Sequence, residues 1–229
     1  MAQFRYEQKY EINSYQYEEL RQVLGKLMEP DPHTGEDGQY MIRSLYFDDM
    51  YRTAYNEKLD GVYYRKKYRI RIYGCSDAVI HLECKRKEGA YILKESCKLT
   101  REEYDKILAG DCEFLLQKDS PMAREFYLDM RTKLLKPEVI VDYEREPYIF
   151  DAGTVRITFD KNVRGCYPHH DMFDPEIPSY EIYPEDKLIV EIKFTGYLPE
   201  RIRKIFKVRN FSQISASKFC MCLDRITEL

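Results

Sequence analysis

The chain has 229 residues, 44% of them hydrophobic and 34% charged, with 37 Lys and Arg against 40 Asp and Glu and a formal net charge of −3. So even a balance excludes a global field that would draw the protein to nucleic acid or to an anionic membrane, and any anion site must be local. No apolar run approaches a membrane span, no segment reads as a signal peptide, and no linker, repeat or low-complexity stretch divides the chain, so one domain over residues 1–229 is expected.

Taken in order, Phe4–Ile12 alternates as a strand does, with Arg5, Glu7, Lys9 and Glu11 on one face and Phe4, Tyr6, Tyr10 and Ile12 on the other. Ser14–Lys26 reads as a helix and Pro30–Gly38 as a loop. Tyr64–Tyr73 is the most informative segment: Arg65, Lys67, Arg69 and Arg71 share one face, opposite Tyr64, Tyr68, Ile70 and Ile72, with Lys66 breaking the apolar row. Ile80–Lys87 gathers His81, Glu83, Lys85 and Lys87 on one face, and Ile92–Lys98 gathers Lys94, Ser96 and Lys98. Helices follow at Thr100–Leu108, with Thr100 as cap and Glu103 as its capping-box partner, and at Pro121–Leu135. Glu138–Tyr148 mixes Tyr143 and Arg145 with Val139 and Val141 on one face. Thr154–Asp160 sets Thr154, Arg156, Thr158 and Asp160 against Val155, Ile157 and Phe159, and Pro168–Pro178 reads as a long mobile loop. Leu188–Phe194 places Glu191 and Lys193 with Ile189, against Leu188, Val190, Ile192 and Phe194; helices at Pro199–Phe206 and Ser215–Leu223 complete the chain.

Any one of these strands is accounted for by an antiparallel sheet with one solvated face. The set asks for more, because the polar faces carry Arg, Lys and Glu together with few small polar residues. An α+β fold built on a closed antiparallel barrel, with a charged bore and an apolar exterior covered by helices, explains both faces. Arginines two apart in a strand suit phosphate, since each guanidinium offers paired donors. The 21 tyrosines can pack their rings and send hydroxyls into a polar bore. Seven scattered cysteines, without a CxxC pair, point to reduced thiols in a cytoplasmic protein. Cys220-x-Cys222 with His169-His170 has poor spacing for zinc.

The ordered series E-Q-K-Y-E (7–11), S-L-Y-F-D-D (44–49), Y-R-I-R (68–71), E-C-K-R-K (83–87), V-D-Y-E-R (141–145), V-R-I-T-F-D (155–160), V-E-I-K-F (190–194) and S-A-S-K-F (215–219) resembles the polyphosphate-polymerase (VTC) domain of the vacuolar transporter chaperone complex, a branch of the triphosphate tunnel metalloenzymes that also include the CYTH phosphatases. The resemblance covers nearly the whole chain. It implies an eight-stranded antiparallel barrel whose tunnel binds a triphosphate or polyphosphate. By the same resemblance Lys9, Arg69, Arg71, Lys85, Lys98, Arg145, Arg156 and Lys218 form the phosphate-binding catalytic set, Tyr143, Ser217 and Lys193 help hold substrate, and Glu191 binds Mg2+ or Mn2+. The reaction implied is transfer of the γ-phosphoryl of ATP to the end of a growing polyphosphate, with release of ADP.

Where the CYTH hydrolases open with glutamate-x-glutamate-x-lysine, this chain has Glu7-x-Lys9-x-Glu11. Lysine in the middle place weakens a two-metal hydrolase and fits the polymerase branch. Two alternatives stay open: a tripolyphosphate or nucleoside-triphosphate hydrolase of the same fold, and a non-enzymatic polyphosphate-binding module. A nucleic-acid partner is not expected, because the tyrosines of Tyr64–Tyr73 mostly face away from the arginines, whereas single-strand binders combine the two. No part of the chain resembles the regulatory domain or membrane helices of the eukaryotic polymerase subunits, which leaves association with a membrane partner, and the oligomeric state, open.

Overall fold

The alternating segments form one ten-stranded antiparallel sheet. The computed structural model describes residues 5–151, 154–184, 186–209 and 211–228, so Phe4 lies outside the described residues. The eight strands of the main path are β1 (Tyr6–Asn13), β3 (Tyr40–Asp48), β4 (Tyr64–Tyr73), β5 (Ser76–Glu88), β6 (Tyr91–Leu99), β7 (Lys136–Phe150), β8 (Val155–Cys166) and β10 (Lys187–Phe194). Their spatial order is β1-β10-β8-β7-β3-β4-β5-β6; two short strands, β2 (Glu29–Pro30) and β9 (Tyr180–Glu181), add to β7 and β8.

The two end strands of that path touch. Arg5 and Ile92 exchange both backbone hydrogen bonds at 3.2 Å, and the rings of Tyr6 and Tyr91 pack beside them at 5.5 Å. That junction is a single bridge, not the continuous β1–β6 ladder that the expectation of a closed barrel calls for. Elsewhere on β1, Ile214 donates its N–H to the Lys9 carbonyl (2.9 Å), and Gln213 bridges to Tyr10.

Helices cover the apolar faces. Helices α3 (Arg101–Leu108) and α4 (Pro121–Thr132) bury Tyr104, Ile107, Met122 and Phe126 against Phe47, Ile70 and Leu82. On the other side α1 (Ser14–Leu24) and α5 (Glu200–Val208) bury Leu20, Leu24, Ile202 and Ile205 against Ile157, Val190 and Ile192. Burial of each such side chain is worth about 1.5–3 kcal/mol, which is why α1 and α5 form although their exposed faces are highly charged. Thr100 and Glu103 make the expected capping box on α3. A short helix, α2 (Thr53–Leu59), was not legible: it buries none of its residues. The last helix, α6 (Lys218–Thr227), packs Phe219, Leu223 and Ile226 against Val139, Val141 and Val163. This explains the mixed face of β7, whose valines lie under α6 while Tyr143 and Arg145 open into the cavity beyond it.

β3 does not alternate and carries no strand signal of period two. Its Arg43 is buried, paired with Asp142 of β7 at 2.8 Å, and donates to the carbonyls of Met172 and Asp174. The same contacts fasten the loop expected to be mobile, whose Met172 is fully buried. Residues 215–217, expected as helix, precede α6 instead, with Ser217 as its N-cap.

Candidate functional site

The concave side of the sheet holds a cavity of about 260 Å³. Lys9, Arg69, Arg71, Lys85, Arg145, Arg156, Lys193, Lys218, Tyr143, Ser217 and Glu191 all line it, so strands far apart in sequence bring these side chains together. Lys98 is the exception: it is exposed, opposite His81 in register, and outside the cavity wall. A second cavity of about 380 Å³ adjoins the first, and the two share Glu7, Lys9, Lys67, Lys85 and Ser217. Among the described residues only Glu7 and Glu191 supply carboxylates to the wall of the first cavity, so it is strongly cationic.

Three of the acids that steady these cations share the strand parity of their partners. Asp160, with no exposed surface, accepts Nε of Arg145 on Oδ1 and Nη2 on Oδ2, both at 2.7 Å, and also the Lys218 ammonium. Glu83 accepts Nη2 of Arg69 at 2.6 Å and Nζ of Lys94 at 2.6 Å. Glu191 meets three cations: Lys9 on Oε1 at 3.1 Å, and Lys193 at 2.7 Å and Arg145 at 3.3 Å on Oε2. Burial alone would raise the Glu191 carboxyl, but Lys193, Lys9, Lys218 and Arg145 together hold it well below the usual range. Lys9 also reaches Glu7 at 3.3 Å, so one ammonium stands between two carboxylates. Two unit charges about 4 Å apart attract by about 4 kcal/mol at an effective dielectric of 20, so these pairs fix the direction of every guanidinium fork.

Aromatic groups complete the wall. Tyr143 accepts from Nη2 of Arg71 at 3.2 Å and lays its ring under Arg145 and Lys218 at 5.2 and 4.9 Å. Tyr46 accepts from Nη1 of Arg69 at 2.9 Å; burial would raise its hydroxyl, yet Arg69, Lys67 and Arg71 bring it down to about 7. At the rim, Arg156 pairs with Asp31 at 2.6 Å and donates to Tyr40 at 2.8 Å. Lys218 enters the cavity because α6 approaches β8 closely. A Cβ on Gly165 would meet the Cys222 carbonyl at 3.0 Å, tighter than an ordinary contact, so glycine eases that approach.

Lys67, Glu83, Asp160 and Tyr46 belong to the site or brace it but are not among the residues expected from the sequence. The first three share the strand parity that picked out their neighbours, and parity would have found them. Tyr46 lies on the strand that does not alternate and had no such signal.

Glu191 offers hard oxygen donors of the kind magnesium and manganese take, and such ions are commonly held by one or two carboxylates with substrate phosphates completing the shell. Among the described residues no group of three or more His, Cys, Asp or Glu could hold a metal by itself. The seven cysteines are free thiols, and the rings of His169 and His170 pack on each other at 4.3 Å. None of the described helices is long and apolar enough to cross a membrane.

A family model described as the VTC domain matches residues 4–226. Among solved structures, a candidate adenylate cyclase from Bacillus halodurans superposes with a TM-score of 0.56 at 16% identity, covering 94% of this chain and 95% of that one. A candidate adenylyl cyclase from Hippeastrum, described as having a dominant triphosphatase activity, superposes with a TM-score of 0.55 at 13% identity, covering 97% and 95%. At these identities the likeness is one of fold. No curated protein matches the sequence.

Proposed function

The chain belongs to the VTC domain family, and from the cation-lined cavity of this member we propose that it is a polyphosphate polymerase, transferring the γ-phosphoryl group of ATP to the terminal phosphate of a polyphosphate held in a tunnel through the sheet. The observation that carries this reading is the convergence of Lys9, Arg69, Arg71, Lys85, Arg145, Lys193 and Lys218 on one cavity.

Phosphoryl transfer needs positioning and charge neutralisation more than covalent help from the protein. Arg69, Arg71, Arg145 and Lys218 grip the phosphate oxygens; Glu83 and Asp160 hold the guanidinium forks that do so. Tyr143 braces Arg71 through its hydroxyl, and Ser217 orients the start of α6 beneath the phosphates. An oxygen of the acceptor's terminal phosphate forms the new bond to the γ-phosphorus while the β–γ bridging oxygen departs with ADP. Mg2+ or Mn2+ bound through Glu191 and phosphate oxygens would neutralise charge on the transferring group. Lys9 exchanges part of its contact with Glu191 for the incoming phosphates.

The second reading is a triphosphatase, with water as acceptor. It is favoured by the second wall carboxylate, Glu7, and by the activity named for the Hippeastrum protein. Against it, the Lys9 ammonium stands between Glu7 and Glu191 at 3.3 and 3.1 Å, where two carboxylates sharing a pair of divalent cations would need open space. Incubation of the purified protein with ATP and Mn2+, followed by electrophoresis, separates the readings. A ladder of long anionic polymers supports the polymerase; free phosphate without polymer supports the triphosphatase; ATP left intact by a folded protein that binds polyphosphate supports a binding module.

A further inference from the structure

Strand β8 carries a buried hydroxyl that the reaction leaves unused. Thr158 has no exposed surface, and its Oγ1 makes no hydrogen bond with any described residue. Asp142 and Arg156 also leave one buried atom unpaired, yet Asp142 is held by Arg43, and Arg156 by Asp31 and Tyr40. Thr158 has a single polar side-chain atom, so its side chain is held by no hydrogen bond at all among the described residues. A hydroxyl can donate one hydrogen bond and accept two, and burying it unmatched is unfavourable. Valine has nearly the same shape, suits a strand and avoids that cost. A buried orphan of this kind calls for a reason outside packing.

Its neighbours supply one. In register, Thr158 stands opposite Glu191 of β10 on one side and Pro147 of β7 on the other. Directly paired residues of an antiparallel sheet project from the same face, with Cβ atoms about 4.5–5.5 Å apart, so a hydroxyl on one can reach a carboxylate on the other. Glu191 borders the cavity, whereas Thr158 lies beneath the wall. The Glu191 oxygens are taken by Lys9 on Oε1 and by Lys193 and Arg145 on Oε2. These three cations line the cavity, so incoming phosphates compete with Glu191 for them. A carboxylate that loses such partners and meets a cation through one oxygen leaves its other oxygen buried and in need of a donor. Carboxylates that ligate metals are ordinarily fixed by a further hydrogen bond of this sort. On the same face of β8, Asp160 as a carboxylate can only accept, and Arg156 is committed to Asp31 and Tyr40. Thr158 is the uncommitted donor at that register.

We propose that Thr158 is a positioning residue of the cation site, whose hydroxyl donates to Glu191 when phosphates draw Lys9 and Lys193 away and so keeps the carboxylate directed at the cation. The role rests on the reading of Glu191 as the carboxylate for Mg2+ or Mn2+. It accounts for a hydroxyl without a partner in the free protein, at a place where valine would fit.

Thr158→Val and Thr158→Ser are compared with the wild type by equilibrium dialysis, with free Mn2+ buffered at a series of concentrations and tripolyphosphate present or absent. Thr158→Val should need about tenfold more free Mn2+, or more, to load the protein–tripolyphosphate complex to half, the loss typical of a removed outer-shell contact. Its binding of tripolyphosphate without Mn2+ should match the wild type. Its Tm without ligands should equal or exceed the wild-type value, because the orphan hydroxyl is gone. Thr158→Ser keeps the hydroxyl and should load Mn2+ like the wild type. Wild-type loading in Thr158→Val overturns the role. So does a lower Tm in that variant, which would mean that the hydroxyl already serves the fold. Equal loss of metal-free tripolyphosphate binding, or a Thr158→Ser variant that loads as poorly as Thr158→Val, also overturns it. A wild-type protein that binds tripolyphosphate but takes up no Mn2+ overturns the cation reading of Glu191 together with the role of Thr158, and one that binds no tripolyphosphate overturns the phosphate reading of the cavity.

Discussion

Replacing Asp160 with Asn removes one negative charge from beneath the cavity and keeps the side chain's shape. Asp160 has no exposed surface and receives two bonds from Arg145 at 2.7 Å and one from Lys218. An amide offers one acceptor oxygen, and its NH2 must turn toward a cation that also donates. Arg145 would keep Glu191 at 3.3 Å, while Lys218 would keep the face of Tyr143 at 4.9 Å. Removing one partner from a buried charge network costs about 3–5 kcal/mol. In a domain of this size each kcal/mol moves Tm by about 2–4 °C, so a fall of about 10 °C is expected. The pH dependence has a definite sign. Burial raises the Asp160 carboxyl, but Arg145 and Lys218 lower it below its ordinary value. Its contribution is therefore present above the unfolded-state pKa of about 3.9 and is lost as pH falls through the folded value. Asp160→Asn should flatten that acid limb. Tripolyphosphate supplies the missing negative charge, so it should raise Tm more in the variant than in the wild type, where about 100 Kd of ligand gives roughly 2.7 kcal/mol. Thermal melts with and without tripolyphosphate, repeated at neutral and acid pH, make the measurement. A variant that melts with the wild type, or that gains less from ligand, would refute the assignment of Asp160 as the anchor of these cations.

Glu191→Gln should lower turnover about 100-fold or more, because several kcal/mol of charge stabilisation is typical of a catalytic divalent ion. Binding of tripolyphosphate should persist in it, which calorimetry can check. Arg69→Ala should instead raise KM about tenfold, the loss of a charged hydrogen bond, with turnover partly recovered at high substrate. Lys67, pushed down to about 8, binds fewer protons in the folded than in the unfolded state between that pH and its ordinary value of about 10.4. Stability should therefore rise with pH across that window. A phosphate beside Lys67 and Tyr46 favours their protonated forms, so tripolyphosphate binding near pH 9 should take up protons, as calorimetry in two buffers can measure. Lys67→Met should take up fewer, and equal uptake by both proteins would count against contact between Lys67 and phosphate.

Much of the fold could be read from alternation. β1, β4, β5, β6, β8 and β10 each turn one face to helices and one to a charged interior, so period two was visible in all of them. β3 hid its strand because Arg43 and Ser44 are both buried, the one paired with Asp142 and the other accepting from Arg71 at 3.1 Å. α2 could not be recognised by amphipathicity, since it buries none of its residues, and its N-cap, Arg52, lies in the left-handed region without a side-chain cap. The strand cations of the cavity share parity across strands, whereas Lys218, which lies on no strand, was reached only through the resemblance carried by S-A-S-K-F (215–219). Lys98 also shares that parity, but it lies on the end strand β6 outside the cavity wall. Parity specifies a face and not the position along it. The pairing of Asp160 with Arg145 depends on the register of β7 against β8, which places the two residues opposite each other, and no single strand reveals it.

The central claim is that the converging cations of the inner cavity hold a chain of phosphates. A crystal structure of the protein soaked with tripolyphosphate tests it most directly. The account predicts phosphate oxygens at hydrogen-bonding distance, about 2.7–3.2 Å, from the side chains of Arg69, Arg71, Arg145 and Lys218 inside the cavity. Tripolyphosphate bound on the outer faces of the sheet, with those four side chains still closed on Glu83, Asp160 and Tyr143, would contradict it.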